Sequence, residues 1–308
     1  MNKILSLILV ASLLAGCSTN KISGRRQLSL VPESELQLMA AQQYNTFLSE
    51  NKVINASQSK DAEMVQRVGS RIASAITNEY QNQGKGDVLA GYKWEFNLVD
   101  NKEVNAWCMP GGKVVVYSGI LPVTQTEEAL AVVVGHEIAH AILQHGNERM
   151  SQQLVQQLGG AALQVAIASQ PAQTQQIFMQ SYGIGTTVGA LLPFSRKEEL
   201  EADKYGLFFS SMAGYNPQVA IPFWERMANS GGSKPPEFLS THPADQTRID
   251  KLKNLMPQAL QYYNASSKAP ASGNTVNTGK TGTKKTGTTS GSGTGTSVKS
   301  SKTKKIKL

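Results

Sequence analysis

The segment from Ala129 to His140 is almost wholly apolar, yet it contains two histidines and a glutamate in the order His136-Glu137-Ile138-Ala139-His140. Apolar residues on all sides are typical of a buried helix. Positions four residues apart lie on one helical face, so both imidazoles project from the same side, about one turn apart. Burial of two imidazoles and a carboxylate is costly unless they are paired or bind a metal. The segment therefore predicts a helix inside a folded domain that holds a metal ion.

The spacing of the two histidines suits zinc. Two neutral imidazole nitrogens one turn apart can reach a single Zn²⁺ at ~2.0–2.1 Å. Glu137, one residue further round the helix, can contact a metal-bound water without being a ligand, which makes it a candidate general base. Thr124 is predicted to begin this helix, with Glu127 completing a capping box. A chance occurrence of the pattern is the alternative, but chance does not explain why these residues lie in an apolar helix.

A catalytic zinc with two histidine ligands needs a third ligand from the protein. The metzincin arrangement would place glycine at position 143 and histidine at 146, but the chain has Leu143 and Gly146. His145 is one residue off, and packing or capping of the helix end explains it better than ligation. The third ligand is therefore expected to be a distant carboxylate.

A later acidic segment offers such a carboxylate. Residues 195–203 read Ser-Arg-Lys-Glu-Glu-Leu-Glu-Ala-Asp and are predicted to be helical. Glu199 and Asp203 are four residues apart and share a face, whereas Glu198 and Glu201 lie off it. Charged runs are usually solvated, so the spacing leaves the choice among the four acids open.

Five motifs follow one another in an order that carries a family resemblance. They resemble the gluzincin metallopeptidases related to HtpX and the CAAX prenyl proteases, and are most similar to the periplasmic lipoprotein branch that includes LoiP and BepA. The resemblance covers about residues 20 to 255. The motifs are Ser23-Gly24-Arg25-Arg26-Gln27-Leu28, Asn105-Ala106-Trp107 with Pro110-Gly111-Gly112, His136-Glu137-x-x-His140, residues 195–203, and His242-Pro243 followed by Arg248.

The resemblance implies an α+β fold, namely a mainly helical zincin-type metallopeptidase domain with a small antiparallel sheet whose edge strand lines the cleft. It implies one zinc ion per chain, bound by His136, His140 and Glu199. Asp203 is implied to orient a ligand histidine. The activity implied is that of a zinc metalloendopeptidase with Glu137 as the base.

The resemblance also implies roles outside the ligand set. His242 is placed to stabilise the oxyanion of the tetrahedral intermediate. Its other interpretation is a residue at a helix start, with Pro243 at the first helical position. The implied substrate-binding residues are Asn105, Ala106 and Trp107, with the peptide extended along the edge strand at 103–109.

Residues 1–16 are typical of a bacterial lipoprotein signal peptide. Lys3 provides a positive charge, residues 4–14 are apolar, and Leu14-Ala15-Gly16-Cys17 resembles a lipobox. The apolar run is shorter than the ~20 residues that a transmembrane helix needs. We therefore expect cleavage before Cys17, lipidation of its thiol, and a protein anchored in the cell envelope that faces the periplasm. Ser18 after the cysteine resembles enterobacterial lipoproteins of the outer membrane, which implies that membrane as the location. An ordinary signal peptide with a chance cysteine is the alternative.

One metallopeptidase domain is predicted for residues 17–264, followed by a disordered tail rich in Gly, Ser, Thr and Lys at 265–308. Residues 146–194 are expected to form either a gating lid over the cleft or more of the helical core. With Cys17 lipidated, Cys108 is either a buried thiol or paired with another chain. The expected elements are helices at 33–50 and 61–81, strands at 92–99, 103–109 and 113–118, and mainly helices after residue 122.

The formal net charge of +8 comes from the tail. Residues 265–308 contain nine lysines and no acidic residue, which leaves −1 for the rest of the chain. Lysines without interleaved aromatic residues give no platform for stacking bases, so nucleic acid is not an expected partner. The expected partners are protein or peptide substrates and a membrane reached through Cys17; the oligomeric state is left open.

The predicted function is cleavage of misfolded or unassembled proteins of the bacterial envelope. The alternative is a lipoprotein chaperone or assembly factor for outer-membrane proteins with little or no proteolytic turnover. Glu137 argues against that alternative, because a structural zinc site needs no base and is normally closed by four protein ligands.

Overall fold

The computed structural model of the chain describes residues 17–158, 171–184, 194–229, 237–243 and 245–266. The predicted signal peptide, the tail beyond residue 266 and parts of the predicted lid lie outside the described residues. The strands are β1 (Cys17–Thr19), β2 (Arg26–Leu28), β3 (Val53–Ile54), β4 (Glu95–Val99), β5 (Ala106–Met109) and β6 (Lys113–Tyr117). The helices are α1 (Glu33–Glu50), α2 (Lys60–Asn82), α3 (Leu121–Thr124), α4 (Glu127–Ile142), α5 (His145–Leu158), α6 (Pro171–Ser181), α7 (Arg196–Met212), α8 (Ala220–Asn229), α9 (Glu237–Thr241) and α10 (Gln246–Ser266).

The mainly helical α+β fold agrees with the prediction. In the ranges that the structure describes, no helix is both long enough and apolar enough to cross a membrane. Helices α1 and α2 lie within a residue of their predicted bounds, because each buries apolar residues at helical spacing, such as Leu36, Ala40 and Tyr44 in α1.

The main sheet has the strand order β3-β4-β6-β5, so β5 is an edge strand, as expected. It is a mixed sheet, and the purely antiparallel sheet that we expected is wrong in this respect. Strands β3–β4 and β5–β6 pair antiparallel, whereas β4 and β6 pair parallel. The parallel pair arises because the hairpin β5–β6 folds back so that β6 lies between β4 and β5.

The hairpin turn between β5 and β6 is made by the predicted Pro110-Gly111-Gly112. Both glycines have positive φ, 78° and 82°, which other residues rarely adopt. A side chain at Gly112 would also meet the Trp94 indole, since a Cβ there would lie 2.6 Å from the ring. The turn sets the register in which Ala106 pairs with Val116.

Helix α4, which carries the two histidines, is buried from Ala129 to Ile142. Its start differs from the prediction. Thr126 is the N-cap, and its Oγ1 accepts a hydrogen bond from the Ala129 N–H at 3.2 Å. Thr124 belongs instead to the short helix α3, and Gln125 between them has a left-handed φ of 64°, which separates the two helices.

The described parts of the predicted lid pack into the core. Met150 of α5 and Phe178 of α6 are both fully buried. They belong to one hydrophobic cluster with Leu36 and Tyr44 of α1 and with Trp107 of β5. In the described ranges, this segment therefore has the character of helical core rather than of a loosely attached lid.

Cys108 is buried on β5, which is the first of its two predicted alternatives. Burial raises the pKa of its thiol well above the ordinary value. The thiol is therefore protonated at neutral pH and has little tendency to react.

Candidate metal centre

Two packed helices bring the predicted metal ligands together. Helix α4 carries His136 and His140, and α7 carries Glu199. The Nε2 atoms of the two histidines lie 3.1 Å apart. Glu199 Oε2 lies 3.4 Å from His136 Nε2, and Glu199 Oε1 lies 3.3 Å from His140 Nε2. All three side chains are buried, so the three ligand atoms form a small triangle inside the protein.

The size of this triangle fits zinc. Ligand atoms at ~2.0–2.1 Å from a tetrahedral zinc are ~3.3–3.4 Å from one another, close to the separations found here. Two imidazole nitrogens that face each other and a carboxylate at this distance need a proton or a metal ion between them. Together with His242, the triangle forms a group whose candidate ligand atoms all lie within 4.8 Å of one another. These residues can hold one zinc ion.

The four acidic residues of α7 differ in their contacts, and these contacts distinguish them where the sequence spacing could not. Glu198 closes a capping box, accepting a hydrogen bond from the backbone N–H of Ser195 at 2.8 Å. Glu199 and Asp203 turn toward α4. Glu201 turns toward Arg25 in the N-terminal segment at residues 17–28. Glu199 is therefore the acid that meets both histidines.

Asp203 holds His136 from behind. Its Oδ1 lies 3.2 Å from His136 Nδ1. A carboxylate at this position favours the proton on Nδ1, which leaves Nε2 free to bind a metal. Burial lowers the pKa of His136, but the carboxylates of Asp203 and Glu199 outweigh burial and raise it to about 9. The same two carboxylates would stabilise the positive charge of a metal ion bound at Nε2.

Arg248 neutralises the two buried carboxylates of α7. Its Nε and Nη2 atoms each donate to Asp203 at 2.7 Å, and its Nη1 lies 2.7 Å from Glu199 Oε2. Burial raises the pKa of each acid, but Arg248 and the histidines outweigh it. The pKa of Glu199 is well below its ordinary value, and the pKa of Asp203 is lowered as well. Both acids are therefore ionised at neutral pH, as a metal site requires.

His242 belongs to the same group. Its Nδ1 lies 2.8 Å from Glu199 Oε1 and 3.3 Å from His136 Nε2. Its Nε2 lies 3.6 Å from Glu137 Oε1. The imidazole thus lies between the predicted ligand and the predicted base.

The predicted helix start at Pro243 is wrong. Helix α10 begins at Gln246, and the Asp245 side chain accepts a hydrogen bond from the Arg248 N–H at 3.0 Å, as an N-cap does. His242 instead follows the end of α9, and its N–H donates to the Phe238 carbonyl at 2.8 Å.

Glu137 is buried beside this group. Its Oε1 has no hydrogen-bond partner among the described residues. Burial raises the pKa of Glu137, although His242 and His136 act in the opposite direction. A carboxylate with a raised pKa accepts a proton more readily near neutral pH.

Comparison with known proteins identifies the family. The profile of peptidase family M48 matches residues 59–256, which is more than half of the chain and includes the whole four-residue group. The chain belongs to peptidase family M48. This confirms the resemblance to gluzincin peptidases, the zinc cofactor and the class of enzyme, a zinc metallopeptidase.

Several named proteins are similar in sequence to this chain. "Mitochondrial metalloendopeptidase OMA1" of Saccharomyces cerevisiae is 35% identical over 187 residues, 58% of this chain and 52% of the relative. "Metalloendopeptidase OMA1, mitochondrial" of Bos taurus is 31% identical over 260 residues, 82% of this chain and 48% of the relative. The "Beta-barrel assembly-enhancing protease" of Escherichia coli is 31% identical over 166 residues, 52% of this chain and 34% of the relative. The chain thus spans about a third to a half of the length of these proteins.

The three predicted substrate residues of this M48 domain lie on or next to β5, which packs against α4. The Trp107 side chain packs in the core, edge-on to the rings of Tyr44 and Phe47. The structure therefore places the indole with α1 rather than with the metal ligands. Asn105 Oδ1 accepts the N–H of Ala106 at 2.9 Å.

The contacts of several residues around the M48 metal group could not be predicted from the sequence. Arg248 was part of a recognised motif, and its pairing with Asp203 and Glu199 emerges only from the packing of α10 on α7. Three further residues, Arg25, His145 and Glu201, form a connected set behind His140. The signal that could have indicated them was the presence of Arg25 in the first of the five motifs.

Proposed function

We propose that this M48 peptidase is an endopeptidase of the bacterial cell envelope that cleaves misfolded or unassembled envelope proteins. The observation that carries the proposal is the position of Glu137, a buried carboxylate whose Oε1 has no hydrogen-bond partner among the described residues, next to the four-residue group that fits zinc. A purely structural metal site has no need of such a group.

The proposed roles follow the geometry. His136, His140 and Glu199 hold the metal, which when bound supplies Lewis-acid activation of a water molecule and of the scissile carbonyl. Glu137 accepts the proton of the attacking water and passes it to the leaving amine. His242 presents Nε2 on the side of Glu137, where an N–H can stabilise the developing oxyanion.

The proposed substrate path runs along β5. An extended peptide can add to an edge strand through backbone hydrogen bonds, which makes recognition tolerant of sequence. Asn105 and Ala106 are proposed to contribute through this edge. Trp107 is proposed to contribute only through its backbone, because its side chain is part of the core.

The proposed location is the periplasmic side of the outer membrane, with lipid on Cys17 as the anchor. The pattern Leu14-Ala15-Gly16-Cys17 supports it. The relatives named for mitochondria suggest an organelle instead, but a transit peptide is rich in arginine, and the first arginine of this chain is Arg25. Replacing Cys17 with alanine is expected to move the protein from the membrane fraction to the soluble periplasmic fraction.

The competing function is an envelope assembly factor without proteolytic turnover. The relative named a beta-barrel assembly-enhancing protease favours keeping this alternative. It would require the domain to act when Glu137 is replaced, whereas the peptidase function would not survive that change.

Glu137→Gln tests the proposal. The purified variant should contain as much zinc as the wild type and degrade an unfolded model substrate at least about 100-fold more slowly, since a general base contributes a factor of this order. Glu128→Gln, on the same helix but in its first turn, is the matched control and should keep full activity. Near-normal hydrolysis by Glu137→Gln would refute the role of Glu137. Full complementation of an envelope-assembly defect by an inactive Glu137→Gln protein would favour the assembly factor.

A further inference from the structure

A second imidazole lies directly behind His140. His145, the first residue of α5, is fully buried, and its Nδ1 lies 3.0 Å from His140 Nδ1. The other nitrogen of His145, Nε2, lies 3.1 Å from Glu201 Oε2. The side of His140 that faces away from the metal group is therefore occupied by a histidine where His136 has an aspartate.

The hydrogen bonds that link His140, His145 and Glu201 have one arrangement that leaves His140 able to bind metal. The Glu201 carboxylate can only accept, so His145 Nε2 donates to it. A neutral His145 then has an unprotonated Nδ1, which accepts a hydrogen bond from His140 Nδ1–H. His140 is left with a lone pair on Nε2, the atom that faces His136 and Glu199. Each imidazole thus fixes the tautomer of the next.

Arg25 holds Glu201 in place at the other end of this series of hydrogen bonds. Its Nε donates to Glu201 Oε2 at 2.7 Å, and its Nη1 and Nη2 donate to the two oxygens of Glu148 at 2.9 and 2.5 Å. The Arg25 side chain is only 9% exposed. Glu201 Oε2 thus faces two nitrogen atoms, Arg25 Nε at 2.7 Å and His145 Nε2 at 3.1 Å, and accepts a hydrogen bond from each.

The N-terminal segment at residues 17–28 supplies this arginine and is attached to α4 at a second point. Asn20 is buried, and its Nδ2 donates to the Leu143 carbonyl at 3.0 Å, at the C-terminal end of the helix that carries the histidines. The segment also forms the β1–β2 hairpin, which holds Arg25 next to the turn. It lies outside the residues matched by the M48 profile.

We propose that His145, Glu201 and Arg25 are positioning residues that hold His140 in its metal-binding tautomer and orientation, so that the N-terminal segment is part of the metal site. The chain His140–His145–Glu201–Arg25 corresponds to His136–Asp203–Arg248 on the other ligand: each ligand histidine leads to a carboxylate of α7 that is held by an arginine from outside α7. The two arginines come from opposite ends of the described chain. The inference rests on His140 being a zinc ligand, as proposed above.

Two substitutions at His145 separate positioning from packing. His145→Asn keeps an acceptor at the δ position, whereas His145→Leu fills similar space without one. Loss of a partner of this kind typically weakens metal binding about 10- to 100-fold. We therefore expect His145→Leu to lower zinc affinity, measured by competition with a chelator, by that factor, and His145→Asn to remain within about fivefold of the wild type. The visible absorption of the cobalt-substituted protein should change in His145→Leu only, because it reports ligand geometry.

Arg25→Gln tests whether the N-terminal segment at residues 17–28 is part of the metal site. By linkage, zinc binding and docking of the segment should strengthen each other. Zinc should therefore slow amide hydrogen exchange at residues 17–28 in the wild type at least about threefold more than in Arg25→Gln. Arg26→Gln, an exposed neighbour on β2, is the matched control and should behave like the wild type.

Equal zinc affinity in His145→Leu, His145→Asn and the wild type, with folded structure retained by circular dichroism, would overturn the inference. So would an equal loss of affinity in both variants, because packing alone would explain it. His140→Ala separates this failure from a failure of the proposed ligand set: if His140→Ala also binds zinc normally, the ligand assignment itself is wrong.

Discussion

Gly135 and Gly206 face each other where α4 and α7 pack together. A Cβ atom on Gly135 would lie 2.8 Å from the Gly206 carbonyl oxygen, and a Cβ atom on Gly206 would lie 2.7 Å from the backbone nitrogen of His136. Both distances are to backbone atoms, which cannot rotate away. The absence of side chains at these two positions lets the helix with the two histidines approach the helix with Glu199.

Gly206→Ala should therefore damage the metal site as well as the core. The added methyl has to push α7 away from α4, and overpacking of this kind costs typically 1–3 kcal/mol. Because His136 is on α4 and Glu199 is on α7, moving the two helices apart also separates these two predicted ligands. We expect a lower free energy of unfolding in urea and a reduced zinc affinity by chelator competition.

Gly86→Ala is the control for this prediction. Gly86 lies in a one-turn helix at 86–89, and a Cβ there would have its nearest neighbour at 3.6 Å, an ordinary contact. It should leave zinc affinity unchanged. A Gly206→Ala protein that binds zinc as tightly as the Gly86→Ala protein would show that the close approach does not set the ligand geometry.

Arg248→Met should destabilise the protein through the acids that it leaves behind. Glu199 and Asp203 are buried, and removal of one partner from a buried ion pair typically costs 3–5 kcal/mol. Their pKa values are depressed, so they contribute stability that is present above their unfolded-state pKa and is lost as the pH falls through the folded-state values. Without Arg248 those folded-state pKa values rise, and acid unfolding should begin at a higher pH.

This prediction is checked by urea unfolding at pH 7 and by an acid titration followed by circular dichroism. Arg67→Met is the matched control. Arg67 pairs with Glu63 and Glu127, but its side chain is 41% exposed, so its loss should cost no more than about 1 kcal/mol. An Arg248→Met protein as stable as the Arg67→Met protein would mean that the buried acids are compensated in another way.

Phe178→Ala distinguishes core from lid in the segment after α4. Phe178 is fully buried and packs on Tyr182, and both belong to the cluster that contains Leu36. Truncation of a buried phenylalanine typically costs 3–5 kcal/mol. We expect that loss in the free energy of unfolding, with Gln176→Ala on the exposed side of α6 close to the wild type. Unchanged stability of Phe178→Ala would instead indicate a segment that opens independently of the core.

The sequence predicted helix α4, metal binding by its two histidines and the order of the main elements, because each of these rests on local periodicity or on short spacing. It could not predict the parallel pairing of β4 and β6, since strand neighbours depend on how the β5–β6 hairpin folds back. The predicted helix start at Thr124 is two residues too early, because either threonine can cap a helix and the left-handed φ of Gln125 decides between them.

The surroundings of the ligands were the least predictable part of the site. The spacing left the choice among the four acids of α7 open, and their contacts differ because Arg25, Ser195 and Arg248 approach from different directions. Trp107 shares a motif with the predicted substrate residues Asn105 and Ala106. Its side chain lies in the core because successive residues of a strand point to opposite faces.

Glu33 should make the stability of the domain depend on pH. It is largely buried at the start of α1, and burial raises its pKa from 4.5 to about 7, although a hydrogen bond with Gln37 acts in the opposite direction. Between these two values the folded protein binds more protons than the unfolded chain, so the free energy of unfolding falls as the pH rises. A shift of this size corresponds to about 3 kcal/mol at most.

Glu33→Gln should remove this contribution and be more stable than the wild type above pH 7, with little difference at pH 4.5. Urea unfolding at pH 4.5, 6 and 8 measures it, with Glu35→Gln on the exposed side of α1 as the control. Parallel stability curves for Glu33→Gln and the wild type would show that Glu33 is already solvated in the folded protein.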